Sequence, residues 1–210
     1  MATRQTSMHT FSGQLGSTVG YLKYGENYER ILGKAKTPHN PKTQKQQTVR
    51  LKFAMLNAFI SRIVGFIEKP FKSSTMPSSS ACFKANYENG IGGSFPEFEL
   101  LYNKFKVSKG SLDLPYSPSA LIDSQNVNVS WTDNSGIGQA LATDQAMILV
   151  YNSAKGQAVY NRGAGNRQER QATLALPTAW NGDSVDIWMA MRNQEDNHFS
   201  ESAYLGNYSI

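Results

Sequence analysis

The apolar positions divide the chain into a stretch of helical period and a longer stretch of alternating period. Between Asn40 and Ile67 a basic, Gln-rich entry turns into a run in which Val49, Phe53, Leu56, Ile60, Ile63 and Ile67 recur at spacings of three and four. Met55, Phe59 and Phe66 widen that stripe, and the period predicts an amphipathic helix laid on a core. Pro38 and Pro41 block helix upstream, because proline fixes φ and disfavours the helical region for the residue before it. Thr43 is placed to cap the first turn, so the helix is predicted to begin near Gln44 and to stop at Pro70. Lys45, Lys52 and Arg62 fall on the other side as a solvated basic face.

A Ser- and Thr-rich break from Ser73 to Ser80 leads to a shorter predicted helix, Ala81 to Tyr87, capped by one of the serines and closed by Asn89-Gly90. Together the two helices predict a helical hairpin. From Gly92 the period changes, and Phe98, Leu100, Tyr102, Phe105 and Val107 predict strand ahead of Lys109-Gly110. Beyond Pro115, seven short segments separated by turn residues read as strands: 120–122, 126–131, 145–152, 157–161, 171–176, 184–192 and 201–207. Their spacing predicts an immunoglobulin-like sandwich, with Trp131 and Trp188 as core anchors and hydrophobic packing in place of a disulfide. Ahead of the helices, Val19, Tyr21 and neighbouring aromatics favour strand, and Gly25 to Asn27 supply a turn, which predicts a β-hairpin. A lone hairpin is marginal in water, so it must lie on the helix, on the second domain or on another copy. The predicted class is α+β: an N-terminal β-hairpin plus helical hairpin, followed by a C-terminal immunoglobulin-like antiparallel β-sandwich.

Charge sharpens the division. Met1 to Gly110 holds sixteen Lys and Arg against six Asp and Glu, a net of +10, whereas Ser111 to Ile210 holds five against ten, a net of −5. Two domains, 1–110 and 111–210, are expected from this contrast, and opposite signs permit head-to-tail contact between copies.

Little in the chain points to a reaction. The three glycines from Gly13 to Gly20 lack the Gly-Lys-Ser/Thr ending of a phosphate loop, and Cys82 is the only cysteine. His9, His39 and His198 lie far apart. Asp133-Asn134-Ser135, Asp183 and Asp186 follow no calcium-loop spacing and read as turn formers, while Arg162 to Arg170 reads as a solvated tip with three arginines. No catalytic residue, cofactor or metal is expected. Met1 to Gly13 is polar without the apolar region of a secretion signal, and no run approaches a membrane span, so the chain is expected to be made in the cytoplasm.

One order of motifs is familiar. Gly13-x-x-Gly16-x-x-x-Gly20-Tyr21, then Arg30, then Asn40-Pro41-x-Thr43-x-x-Gln46-x-x-x-Arg50-x-x-Phe53 is followed by Trp131-x-Asp133-Asn134-Ser135-Gly136, Ala146-Met147 and Val150-Tyr151-Asn152. This order resembles an uncharacterised family of roughly 200-residue proteins of Bacteroidota and their mobile elements, and the shorter N-terminal signature resembles small phage virion-associated proteins. The resemblance implies no activity; it implies that the Gly-rich hairpin, the linker arginine and the Gln/Arg helix entry form one docking module. The expected function is therefore a structural subunit of a phage-like particle or extracellular appendage, a homo-oligomer or a partner of other such subunits. Val19, Tyr21, Tyr24, Tyr28, Arg30, Gln46 and Arg50 are the candidate assembly residues. The alternative is nucleic-acid binding through Lys34, Lys36, Lys42, Lys45, Arg50 and Lys52, and a third reading is glycan binding by Tyr151, Tyr160, Tyr204 and Tyr208.

Overall fold

A computed structural model describes residues 13–24, 26–32 and 42–210. Its contacts fall into two units, Met1–Lys42 and Thr43–Ile210. The first is a three-stranded antiparallel sheet, β1 (Gly13–Leu15), β2 (Thr18–Lys23) and β3 (Glu26–Ile31), in the order β1-β2-β3. One more strand than the predicted hairpin is present because Gly16, at φ +57°, turns the chain back ahead of β2.

The second unit begins with α1 (Gln44–Arg62), where Thr43 Oγ1 accepts from the Gln46 amide at 3.4 Å as the capping argument requires. After Ile63 the chain re-enters helix as α2 (Val64–Ile67). Leu56, Phe59, Ile60, Ile63, Phe66 and Ile67 are buried, but Val49 and Phe53 are 53% and 55% exposed, so the predicted stripe reaches the core only in its second half. A third helix, α3 (Ser78–Asn86), starts earlier than predicted and has no side-chain cap; instead Ser78 Oγ donates to the Glu68 carbonyl at 2.7 Å and ties α3 to the end of α2.

The predicted strand through residues 98–107 is only partly present. β4 (Ile91–Ser94) and β5 (Glu97–Leu100) form a hairpin, and Tyr102–Lys104 is a single tight helical turn. Phe105 and Val107 are nevertheless buried, which leaves their backbone in need of partners. The buried Asn86 side chain supplies them: its amide donates to the Lys106 carbonyl at 2.9 Å and its carbonyl accepts from the Lys106 amide at 2.7 Å. Ser202 Oγ accepts from the Val107 amide at 3.0 Å. Side chains stand in for the missing strand.

Seven strands follow: β6 (Tyr116–Asp123), β7 (Asn126–Thr132), β8 (Gln145–Asn152), β9 (Gln157–Asn161), β10 (Gln171–Ala175), β11 (Ser184–Arg192) and β12 (Ala203–Ser209). They form a three-stranded sheet, β10-β7-β6, and a four-stranded sheet, β12-β11-β8-β9. Val127, Val129 and Trp131 of one sheet meet Ile148, Val150, Val185, Ile187 and Met189 of the other in a closed core. A second core lies on the outer face of the four-stranded sheet. There Met147, Leu149, Tyr151 and Trp188 are covered by Leu56, Phe59, Ile60 and Ile63, and the Phe59 ring stands 4.6 Å from Tyr151 and 4.8 Å from Phe105. This unit therefore has three layers: sheet, sheet and helices. Gly65 leaves room for the Tyr160 side chain of β9, since a Cβ there would overlap the Tyr160 hydroxyl.

The expected boundary at residue 110 is corrected by this packing. Residues 43–110 are the cover of the sandwich, and the division falls between Lys42 and Thr43. The charge contrast moves with it: residues 1–42 hold six Lys and Arg against two Asp and Glu, while 43–210 hold fifteen against fourteen. Part of the basic–acidic attraction is thus internal, at Lys106–Glu201 (3.0 Å) and Lys69–Asp196 (3.7 Å). Both pairs are solvated and stabilise little.

A fragment of residues 43–210 should unfold in one cooperative urea transition, whereas one of residues 111–210, with the outer face of its four-stranded sheet stripped, should precipitate or bind a hydrophobic dye. A soluble, cooperative 111–210 fragment would restore the boundary at 110.

Candidate assembly interface

The register of the N-terminal sheet brings four of the seven candidate residues together. Val19 pairs with Arg30 and Tyr21 with Tyr28, and because strand side chains alternate, all four share one face. The Tyr21 and Tyr28 rings stack with centroids 5.8 Å apart, and Tyr28 donates to Glu26 at 3.2 Å. Tyr24 sits in the β2–β3 turn at φ 52° and is 92% exposed. Leu15 and Ile31 are also exposed, at 70% and 76%. Among the described residues of this sheet only Gly20 is buried, so their side chains form no hydrophobic core. Among the described strands β3, six residues long, lies at the edge.

Gln46 and Arg50 lie on α1 in the other unit, four residues apart and hence on one helical face, which Val49 and Phe53 extend. The nucleic-acid candidates do not form one row. Lys34 and Lys36 lie outside the described residues, and Arg50 is rotated roughly 140° around α1 from Lys45. Lys52, seven residues on, shares the Lys45 side of α1, with its Nζ over the Phe98 ring, 5.0 Å from the centroid. Lys42 and Lys45 are exposed.

In the sandwich, the candidate chemistry resolves into structure. Asp133 accepts from the Ser135 amide at 2.9 Å and from its hydroxyl, and these bonds hold its carboxyl below the usual range. Asp183 is lowered in the same direction by Lys155 and Asn152, which donate to it at 2.6 and 2.8 Å. Asp186 accepts from the Tyr204 hydroxyl at 2.6 Å. Among the described residues no His, Cys, Asp and Glu cluster could hold a metal ion. Tyr151 packs on Phe59, Tyr204 on Trp188 and Tyr160 on Phe66; Tyr151 is buried and Tyr204 half-buried, and Tyr160 alone of these three is exposed, at 40%. Tyr208 is half-buried, donating to the Leu205 carbonyl at 3.1 Å.

The segment expected to be a solvated arginine tip contains a buried one. Arg167 is 0% exposed, on a helical turn whose first residue is fixed by a reciprocal Asn166–Glu169 cap. Its guanidinium donates to Asp144 Oδ2 from Nη2 (2.9 Å) and Nε (3.2 Å), to Asn134 Oδ1 from Nη1 (2.6 Å) and to the Asp113 carbonyl from Nη2 (2.7 Å). Its own carbonyl accepts from Trp131 Nε1 at 2.8 Å. One cation thus gathers the loops on either side of β6, β7 and β8. No sequence signal distinguished Arg167 from Arg162 and Arg170, because burial of a charge depends on a carboxylate twenty-three residues away in the chain. Arg162 is partly buried and pairs with Asp196 at 2.7 Å.

Three strands stacked on four, with an outer helical layer, define an immunoglobulin-like sandwich of unassigned activity. The chain belongs to a family of unknown function, DUF6266, whose model matches residues 10–206 and so spans both units. Membership of an uncharacterised family is what the motif order led us to expect. No curated protein matches the chain. Among solved structures it is similar to the crystal structure of chicken CNTN1 FN1–FN3 domains, at 15% identity and a TM-score of 0.33, over 48% of this chain and 33% of that one. The chain thus spans about a third of the length of that structure. No helix among the described residues is long and apolar enough to cross a membrane.

Replacing Arg167 with Ala should destabilise the fold by about 3–5 kcal/mol, read as a lowered urea midpoint at unchanged slope, because Asp144 is left charged and buried. Replacing both Arg167 and Asp144 with apolar residues should recover most of that loss. The second expectation concerns Cys82, whose burial pushes its thiol up to about 12 against a weaker opposing bond from Asn86. Disulfide-exchange reagents should label it only in denaturant. An unfolded thiol ionises near 9.0, so the native state binds the extra proton between these values and its stability should fall as pH rises through that window. Burial of Tyr102 and Tyr204 shifts both in the same direction.

Proposed function

We propose that the chain is a non-enzymatic structural subunit, of the kind that builds a phage-like particle or extracellular appendage, which self-associates through β1–β3 and displays its immunoglobulin-like sandwich. The observation that carries this reading is the absence of a buried core among the described side chains of the N-terminal sheet, beside exposed Leu15 and Ile31. A sheet of this size cannot fold stably without a surface to cover it. The β3 edge offers backbone donors and acceptors for strand addition.

A second copy suits that edge. If two β3 strands pair antiparallel about Tyr28, Glu26 of each lies opposite Arg30 of the other, with the two Tyr28 side chains at the centre. The same face then carries two opposite-charge pairs and an aromatic pair. Shifting the register by one residue toward Glu29 loses the Glu26–Arg30 match. The exposed Gln46, Val49, Arg50 and Phe53 face of α1 gives a second contact surface of mixed character.

Light scattering and negative-stain microscopy of the full chain should show an oligomer that a chain lacking residues 1–32 does not form. The truncation spares both cores, neither of which includes a residue before Leu56. Arg30→Glu should weaken the assembly, and Glu26→Arg with Arg30→Glu should restore it. A monomer in every case would overturn the reading.

A further inference from the structure

Two adjoining hollows lie where the helical cover meets the sandwich, with volumes of about 570 and 550 Å³, and both are lined by Pro70, Lys72, Ser73, Lys109 and Gly110. They form one open trough. The first lobe has an apolar floor of Phe71, Met76, Ala81 and Ala85, with Lys84 of α3 on its rim. The second is walled by the turn at 196–199, held by Asn193 Oδ1, which accepts from the Asn197 and His198 amides at 3.0 and 2.9 Å. Gly110 closes the junction, because a Cβ there would overlap the Phe199 carbonyl. The trough is thus built by backbone approach rather than by loose side chains.

Its charge is predominantly positive, with Lys69, Lys72, Lys84 and Lys109 against Asp196 alone. Lys72, Lys84 and Lys109 are exposed, and none of the three forms an ion pair among the described residues, in contrast to Lys69, Lys106 and Lys155. We propose that this trough is a docking site for an extended acidic peptide segment of a partner protein, with apolar side chains on the floor and carboxylates on the lysine rim.

The lining favours a peptide over a nucleic acid. No arginine borders either lobe, whereas phosphate recognition favours its planar fork. The apolar floor offers no open ring on which a base could stack, since Phe71 is only 5% exposed; the one exposed ring in the lining belongs to His198, in the second lobe away from that floor. Asp196 in the second lobe is neutralised by Lys69 and Arg162, which leaves the rim lysines as the unpaired charges. Lysines serve carboxylates spaced along an extended chain as mobile point charges. The site lies wholly within residues 69–199 and is independent of self-association through β1–β3.

Fluorescence anisotropy of the full chain with a labelled Glu-rich peptide containing interspersed Leu tests the proposal, beside a labelled single-stranded oligonucleotide and unlabelled inorganic phosphate as competitor. The peptide should bind in a salt-sensitive manner. Lys72→Glu with Lys84→Glu and Lys109→Glu should weaken it about tenfold or more. Ser73→Trp, an exposed position bordering both lobes, should obstruct the trough without changing its charge and cause a similar loss. Unchanged circular dichroism of both variants separates loss of the site from loss of the fold. The proposal is overturned if the peptide does not bind, if both variants bind it as the native chain does, if the oligonucleotide binds more tightly, or if phosphate alone displaces the peptide.

Discussion

The larger unit depends on one constraint: its four-stranded sheet is apolar on both faces. Along β8 every residue from Ala146 to Asn152 is buried, and along β11 every residue from Val185 to Met191. One set of side chains closes the sandwich and the alternate set, Met147, Leu149, Tyr151, Trp188 and Ala190, requires a cover. Each large side chain left exposed would cost about 1.5–3 kcal/mol, so the sandwich cannot do without its helices. The dependence runs the other way as well. α1 is buried only from Leu56 onward, and most of a helix's stability in a protein comes from packing its apolar face. Even Asp186 obeys the constraint: it points into the covered face and is satisfied there by Tyr204.

This arrangement explains what the sequence disclosed and what it hid. The strand segments were legible because turn residues punctuate them and because Val127, Val129 and Trp131 alternate as a half-buried strand does. The helical cover was legible as helix, through Thr43 and the spacing of Leu56, Ile60, Ile63 and Ile67, but not as part of the sandwich. The clue lay in β8 and β11, whose near-continuous apolar runs are the mark of a sheet buried on two sides. Weighed that way, a boundary at residue 110 would separate the sheet from its cover, whereas the contacts divide the chain between Lys42 and Thr43. Charge counts misled for a related reason, since opposite charges in one sequence pair within a chain as readily as between chains. Of the candidate site, the common face of Val19, Tyr21, Tyr28 and Arg30 followed from alternation once two strands were assigned, whereas the trough around Lys72, Lys84 and Lys109 joins residues too distant in sequence to be seen together.

Buried polar side chains do a different task from the two cores. Asn86 and Arg167 each sit where irregular chain passes through the interior and would leave backbone groups unsatisfied. Asn86 stands in for a strand partner of Lys106; Arg167 joins Asp113, Asn134 and Asp144. Neither adds much net stability against an apolar replacement of equal shape, because desolvation offsets most of the gain. Their effect is selective. A slipped loop would leave a buried charge or amide without partners, so alternative packings of these segments are raised in energy relative to the native one.

The N-terminal sheet obeys none of these rules, and that contrast is informative. With only Gly20 buried among its described residues, the sheet adds little to the stability of the chain, and the self-association proposed for it would account for its exposed composition. Tyr21 and Tyr28 stack across the β2–β3 pair, and aromatic rings on an otherwise open face are the side chains that lose least entropy on being covered. The cross-strand neighbour of Arg30 is Val19, not a carboxylate, so the register of the sheet supplies no opposite charge directly across from it. Arginine and tyrosine are the residue types enriched at the cores of protein interfaces, which is why the self-association proposed for this sheet is placed on the face that register assembles.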